Sequence, residues 1–362
     1  MENLFVTPLN AWHKAHGAKM VPFAGWEMPV QYSGIIAEHQ HCRSKACIFD
    51  ICHMGEFSLK GPGAKDALAK AVTQNLDTLA PGKCRYGFLL NPEGGVLDDL
   101  IVYRIAEDEF MLVVNGACID SDFATIASRL PAGLEFTNIS EQTAKIDLQG
   151  PASLEVLKGL LPGEWEKLGY FSFVKTAFGE VEIIVSRTGY TGELGYEFYL
   201  PASSAGDLWE ALAADPDVLP AGLGARDTLR LEMGYPLYGQ DLDTKHTPGA
   251  AGYAGMLTST AEYVGKPRAL DAPEKLIALS IEGRRSARHH DVVALPGGEV
   301  VGVVTSGSFS PSLGHSVALA YVKAEAADAA EFVVKTAKVE LPARKVDLPF
   351  YQGGTARKKL NG

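Results

Sequence analysis

Two adjacent carboxylates, Asp98 and Asp99, sit inside the otherwise apolar run 96–104. Such a run reads as a strand, and strands send successive side chains to opposite faces. Asp99 therefore shares a face with Leu97, Ile101 and Tyr103, and Asp98 with Val96, Leu100 and Val102. At least one carboxylate must be partly buried. Desolvation raises a carboxyl pKa and suits it to general base work, because burying a charge without a partner is costly. The competing reading is an acid that caps backbone N–H groups beside Gly94-Gly95. Glu197 alternates with Tyr196 and Phe198, so it faces solvent or a pocket when those aromatics face the core. In a pocket, a carboxylate can accept two parallel N–H bonds from an amidine-like ring edge. Arg226 and Arg230 stand i, i+4 on a helix predicted to run through Met233. Like charges at that spacing repel unless an anion or an acid such as Asp227 lies opposite. An anionic ligand and a structural salt bridge both fit.

Several chemistries are excluded. The five cysteines, Cys42, Cys47, Cys52, Cys84 and Cys118, are odd in number, which argues against a disulfide scaffold. Cys42, Cys47 and Cys52 crowd with His39, His41 and His53, but they lack the close Cys-x2–4-Cys pairing of structural zinc sites. No metal is expected. No Gly-x-Ser-x-Gly elbow occurs, and Gly222-Leu223-Gly224 is followed by Arg226-Asp227 rather than the third glycine of a dinucleotide loop. The net charge is −11, from 33 basic and 44 acidic residues. A protein that grips phosphate backbones is usually basic, so nucleic acid is not expected. Two local clusters remain, Arg284, Arg285 and Arg288, and Arg357-Lys358-Lys359. No apolar run approaches the roughly 18 residues of a membrane helix, and no signal peptide is read at Met1-Glu2-Asn3-Leu4-Phe5. The expected compartment is the cytoplasm, with no membrane partner.

The elements that position these residues read as α+β. A chain of 362 residues, 46% hydrophobic and 21% charged, has ample core for two to three domains of about 150 residues. Pro22, Gly25 and Pro29 break the opening stretch, and residues 34–47 then fit a helix. A short strand at 56–60 leads through Gly61-Pro62 into a helix predicted to reach Leu76, with Leu68, Ala71 and Val72 on one face. The device recurs: Ala144, Ile146 and Leu148 alternate, then Gly150-Pro151 opens a helix carrying Leu154, Leu157 and Leu161. A duplicated subdomain is one reading and chance is the other. A meander of strands spans 86–90, 96–104 and 110–115, strands follow at 181–187 and 196–200, and a helix at 204–214. From about residue 276 the pattern is nearly all β, which suggests a small barrel or sandwich. The expected division is 1–275 and 276–362.

Seven stretches then occur in a telling order: Phe23-Ala24-Gly25-Trp26-Glu27-Met28-Pro29, Phe49-Asp50-Ile51-Cys52-His53-Met54-Gly55, Gly94-Gly95-Val96-Leu97-Asp98-Asp99-Leu100, Ser186-Arg187-Thr188-Gly189-Tyr190-Thr191-Gly192-Glu193, Gly222-Leu223-Gly224-Ala225-Arg226-Asp227, Tyr238-Gly239-Gln240-Asp241 and Thr305-Ser306-Gly307. Together they resemble the folate-binding T-protein family, the aminomethyltransferases of the glycine cleavage system, over nearly the whole chain. The resemblance implies a three-domain cloverleaf around a central folate cavity, two interleaved α+β subdomains followed by a barrel-like domain. It implies transfer of a one-carbon unit from the aminomethyl-dihydrolipoyl arm of H-protein to tetrahydrofolate, with release of ammonia and formation of 5,10-methylenetetrahydrofolate. By position, Asp99 resembles the catalytic acid beside the reactive folate nitrogens, and Glu197 the carboxylate at the pterin edge. Tyr86, Tyr103, Asn115 and Tyr190 resemble cavity-lining residues. Arg226 resembles a ligand-binding arginine, Arg288 a contribution from the last domain, and Met54 a residue at the mouth. The family usually has serine where Cys52 stands, and a glutamate and a tryptophan where Ala250 and Gly255 stand. Losing the tryptophan removes wall from the pocket, which is then wider or partly filled by Tyr253. This opens a second reading, a folate-dependent demethylase of a small methylated amine or sulfonium compound. A third, a non-catalytic folate-binding accessory protein, lacks its Lys-Gly-Cys-Tyr motif here. Docking an acidic H-protein would fall to the two basic clusters.

Overall fold

In a computed structural model, which describes residues 4–360, the meander forms one side of a five-stranded antiparallel sheet. Its strand order is Lys83–Leu90, Val96–Ala106, Glu109–Val114, Gly55–Lys60 and Glu135–Asn138. Alternation decides its faces. Leu100 and Val102 point under the helices Ala64–Ala71 and Ile119–Arg129, where they meet Phe57, Leu68, Leu112 and Ile126. The opposite face carries Asp99 and Tyr103.

A second sheet has six strands in the order Phe173–Phe178, Val181–Ser186, Gly195–Pro201, Thr143–Gln149, Ala46–Asp50 and Val218–Pro220. The last pair is parallel and the others antiparallel. The helices Ser153–Leu160 and Ala205–Ala213 cover its apolar face, with Ile146, Leu148, Leu157, Phe198 and the fully buried Trp209 in one core. From Glu274 onward, six strands close into an antiparallel barrel, because Glu340–Val346 pairs back onto Glu274–Ile281. The strand–Gly-Pro–helix device is present in both sheets. Gly61 and Gly150 stand at the same place in it, with φ of 124° and 139°, a conformation that a side chain would strain.

Three expectations change. The helix read over 34–47 ends at Ser44, and Ala46–Asp50 forms a strand of the second sheet instead. The first helix after Gly61-Pro62 stops at Ala71, not Leu76, and Val72 is extended. Thr73 ends it by pairing with Phe88 through its backbone N–H and its hydroxyl, at 3.0 and 2.8 Å. The opening stretch, read only as helix-breaking, forms the hairpin Lys19–Phe23 with Trp26–Gln31. Its two-residue turn holds both Ala24 and Gly25 at positive φ, 50° and 84°. Among the described residues no helix is long and apolar enough to cross a membrane.

The helix Leu223–Glu232 ties the three bodies together. Arg226, in its first turns, pairs with Asp147 of the second sheet at 2.7 Å. Arg230 is buried against Asp227, Asp241 and Ser306, at 2.8, 2.8 and 2.9 Å. Glu232, at its end, accepts from Ser310 and Ser312 of the barrel and pairs with Arg43. Of the two readings of Arg230, the salt bridge is the one found.

Candidate active site

The polar faces of the two sheets meet, and the sequence-selected residues gather there. Asp99 lies opposite Phe88 in register, beside Asn115 at the end of the next strand. The Asn115 amide donates to Asp99 Oδ1 at 3.0 Å and to Asp98 Oδ1 at 2.8 Å, and its backbone N–H donates to Asp98 Oδ2 at 2.9 Å. Asp98 is fully buried, whereas Asp99 keeps a partly accessible edge. Burial and the adjacent Asp98 push Asp99 up to about 7, against the donation from Asn115. The Tyr86 ring lies next to this carboxyl, and its buried hydroxyl has no settled hydrogen-bond partner. Tyr253 packs on Tyr86 and Phe88, with ring centroids 6.1 and 5.5 Å apart. It fills part of the wall, while a side chain at Gly255 would meet nothing within 4 Å.

Glu197 faces inward. Its Oε2 accepts from Thr188, Tyr199 and Tyr103 at 2.6, 3.1 and 3.3 Å, and its Oε1 pairs with Lys145 at 3.1 Å. Burial opposes its ionisation, but Lys145, the Thr188 hydroxyl and Arg226 outweigh that and hold it below the ordinary glutamate range. With Oε2 saturated, only Oε1 can accept another bond. A two-oxygen grip by this residue alone, as the sequence suggested, is therefore closed. Asp147 offers a second open acceptor beside it. It pairs with Glu197 in register, is fully buried, and leaves Oδ1 unpartnered while Oδ2 holds Arg226. Burial and Glu197 push Asp147 up to about 6, against Arg226 and Lys145.

Tyr103, expected on the cavity wall, is fully buried behind Glu197 and steadies it together with Tyr199 and Ser186. Tyr190 stacks on Tyr235, and the Arg226 guanidinium lies 5.0 Å over its ring. Met54 is half-buried, with its sulfur 3.5 Å from Lys145 Nζ. His53 is buried, and desolvation pushes it down to about 4, so its imidazole is neutral. Arg288 is not brought to this group: it is exposed, and its guanidinium donates to the Gly307 carbonyl at 3.0 Å. Cys52 is buried, its thiol pushed up by burial and by Asp50, and its Sγ lies 3.4 Å from the Lys145 carbonyl; a reactive thiol does not fit. Sequence reasoning missed Asp147 and Lys145. Their strand alternates apolar and polar residues, which reads as one solvated face until a second polar face is packed on it.

Residues 9–260 match the model described as the GCVT N-terminal domain, and residues 274–352 the glycine cleavage T-protein C-terminal barrel domain. The chain is 43% identical over 361 residues to an aminomethyltransferase of Thermotoga maritima, covering 97% of this chain and 99% of that one. It is 42% identical over 350 residues to an aminomethyltransferase of Deinococcus deserti, covering 96% of each. The crystal structure of the glycine cleavage system aminomethyltransferase T from Bartonella henselae superposes with a TM-score of 0.91 at 33% identity, over 98% of this chain and 99% of that one.

Proposed function

The chain belongs to the glycine cleavage T-protein family and is an aminomethyltransferase, and from that premise we propose how its residues serve the reaction. The co-substrate is tetrahydrofolate and the donor is the aminomethyl-dihydrolipoyl arm of H-protein. The product is 5,10-methylenetetrahydrofolate, and ammonia leaves. Relatives of this name over the full length favour this over the demethylase and accessory readings, and Tyr253 takes up part of the altered 249–256 wall.

The observation that carries the proposal is acceptor capacity left open on two paired strands of the second sheet, where it faces the first. Asp147 Oδ1 and Glu197 Oε1 are neighbouring acceptors, and the amino-pyrimidinone edge of a pterin offers adjacent N–H donors. Tyr86 and Asp99 stand together, apart from that pair, where the folate nitrogens that receive the carbon would lie. Asp99, poised near neutrality, accepts the proton that the attacking nitrogen sheds. Asn115 holds the carboxylate in place. Holding donor carbon and nitrogen together supplies much of the remaining rate. Arg226, held through one guanidinium nitrogen by Asp147, favours an anionic part of the ligand. Arg288 lies outside this account.

Titration with 5-formyltetrahydrofolate tests it. Glu197→Gln and Asp147→Asn are expected to weaken binding at least about tenfold each, since each leaves buried donors or acceptors mismatched. Unchanged affinity in both would overturn the assignment of the pterin edge.

A further inference from the structure

Behind Asp99 lies a buried acid that the reaction as described leaves unused. Asp122, on the helix Ile119–Arg129, is 2% exposed, and one of its oxygens has no partner. Carboxyl oxygens of Asp98 and Asp122 and the Cys118 sulfur all lie within 4.8 Å of one another. Two carboxyls this close in an apolar surround cannot both ionise; one proton is shared between them. Geometry places it. Asp98 accepts from the Asn115 backbone on one oxygen and from the Asn115 amide on the other, so both of its oxygens must act as acceptors. Two N–H donors favour the charge on Asp98, whereas the unpartnered oxygen of Asp122 has none, so the proton is placed on Asp122.

We propose that Asp122 is a positioning residue for aminomethyl transfer: its protonated carboxyl donates to Asp98, keeps Asp98 an acceptor, and so turns the NH2 of Asn115 toward Asp99. The proposal rests on the role of Asp99 given above. Were Asp98 to carry the proton, it would donate to Asn115, the amide would turn its oxygen inward, and Asp99 would lose its 3.0 Å donor. The groups facing Asp122 are consistent with this. Asp98 and Asp99 face it from the strand and disfavour its ionisation; Arg129, on its own helix, favours ionisation but is turned to the Ala71 and Leu90 carbonyls. Cys118 and Tyr238 complete the surround, both with pKa values raised by burial. Burial and Asp98 push Asp122 itself up to about 10.

The test is steady-state turnover of Asp122→Asn and Asp122→Leu with aminomethylated H-protein and tetrahydrofolate. The asparagine variant keeps a donor toward Asp98, so its kcat is expected within about twofold of wild type. The leucine variant is expected to lose about tenfold or more in kcat, with KM for tetrahydrofolate nearly unchanged. Because Asp122 acts through Asp99, adding Asp122→Leu to Asp99→Asn should cost no further rate. Should the leucine variant fail to fold, Asp98→Asn, which turns an acceptor into a donor toward Asn115, is expected to show the same loss of kcat. Wild-type kcat in a folded leucine variant, or an equal loss in the asparagine variant, would overturn the proposal. So would loss of wild-type activity on chelation with recovery on adding a divalent ion, which would make Asp98, Cys118 and Asp122 a metal site. Full activity in Asp99→Asn would fail the reading of Asp99 instead, a separate outcome.

Discussion

At the scale of single residues, the site is built from acids whose environments push them apart. Asp99 is raised to about 7 by burial and Asp98, and Glu197 is held low by Lys145 and Thr188 despite its burial. The first can exchange a proton at neutral pH and the second stays ionised. The raised pKa carries a stability cost of definite sign. Folded Asp99 binds its proton more tightly than the unfolded chain does. Its contribution to stability is therefore fully present below about pH 4, the ordinary aspartate range, and is lost as pH rises through about 7. Asp99→Asn is accordingly expected to melt a few degrees higher than wild type at pH 8 and at about the same temperature at pH 4; equal melting temperatures at both pH values would contradict this. Asp99 and Glu197 were legible in the sequence because each interrupts a period-2 apolar run. Asp147 and Lys145 were not, since in the strand Thr143–Gln149 the residues Lys145, Asp147 and Gln149 alternate with Ile146 and Leu148, the pattern of an ordinary exposed face. Asp122 was hidden differently. It sits with Asp120 in the first turn of a helix, where acids are common because they complement the helix dipole.

At the scale of elements, the helix Leu223–Glu232 is the brace. Glu232 is fully buried and accepts from Ser310, Ser312 and Arg43, at 2.5, 2.8 and 2.8 Å, with His39 at 3.2 Å. Burial opposes its charge, but His39, Ser310 and Arg43 prevail and hold it down to about 2. Its contribution is present above the ordinary glutamate range of about 4.3 and is lost as pH falls toward about 2. Breaking a buried pair by removing one partner typically costs about 3–5 kcal/mol, so Glu232→Gln is expected to lose on that order in urea unfolding at pH 7. A loss below about 1 kcal/mol would show that the barrel is not held by this residue. Many of the strands and helices were legible from alternation and from the two Gly-Pro steps. Others were not, among them the helix Ile119–Arg129 and the strands Ala46–Asp50, Glu135–Asn138 and Phe173–Phe178, and three further elements show why. The hairpin at Lys19–Gln31 turns through Ala24, a residue type that does not announce a positive φ. The barrel strand Val292–Ala294 spans only three residues. Glu340–Val346 contains Pro342, which argues against a strand until the barrel's register with Val333 is seen.

At the scale of the whole molecule, two sheets lay their polar faces together and a barrel is clamped beside them, which gives a reaction space at a junction rather than within one domain. The order of seven short motifs made the family legible, yet no periodicity in the sequence reports that two polar faces are packed on each other. Charge adds a second large-scale feature. On a chain of net charge −11, Lys167, Arg187, Arg357, Lys358 and Lys359 line one concave patch with Glu166 the only acid among its lining residues. We expect an acidic H-protein to use such a basic face, so kcat/KM for H-protein should fall steeply between low and high salt, and fall further in Lys358→Gln/Lys359→Gln, with folate affinity unchanged. A rate flat across ionic strength would contradict that docking. The central claim is that Asp99 takes the proton as carbon passes to tetrahydrofolate. The most direct measurement is single-turnover formation of 5,10-methylenetetrahydrofolate from aminomethylated H-protein, by wild type and Asp99→Asn, from pH 5.5 to 9. The expected result is a wild-type rate that rises through about pH 7 and levels off, with an asparagine variant slower by about a hundredfold or more and lacking that rise. An asparagine variant that turns over at the wild-type rate with the same pH profile would contradict the claim.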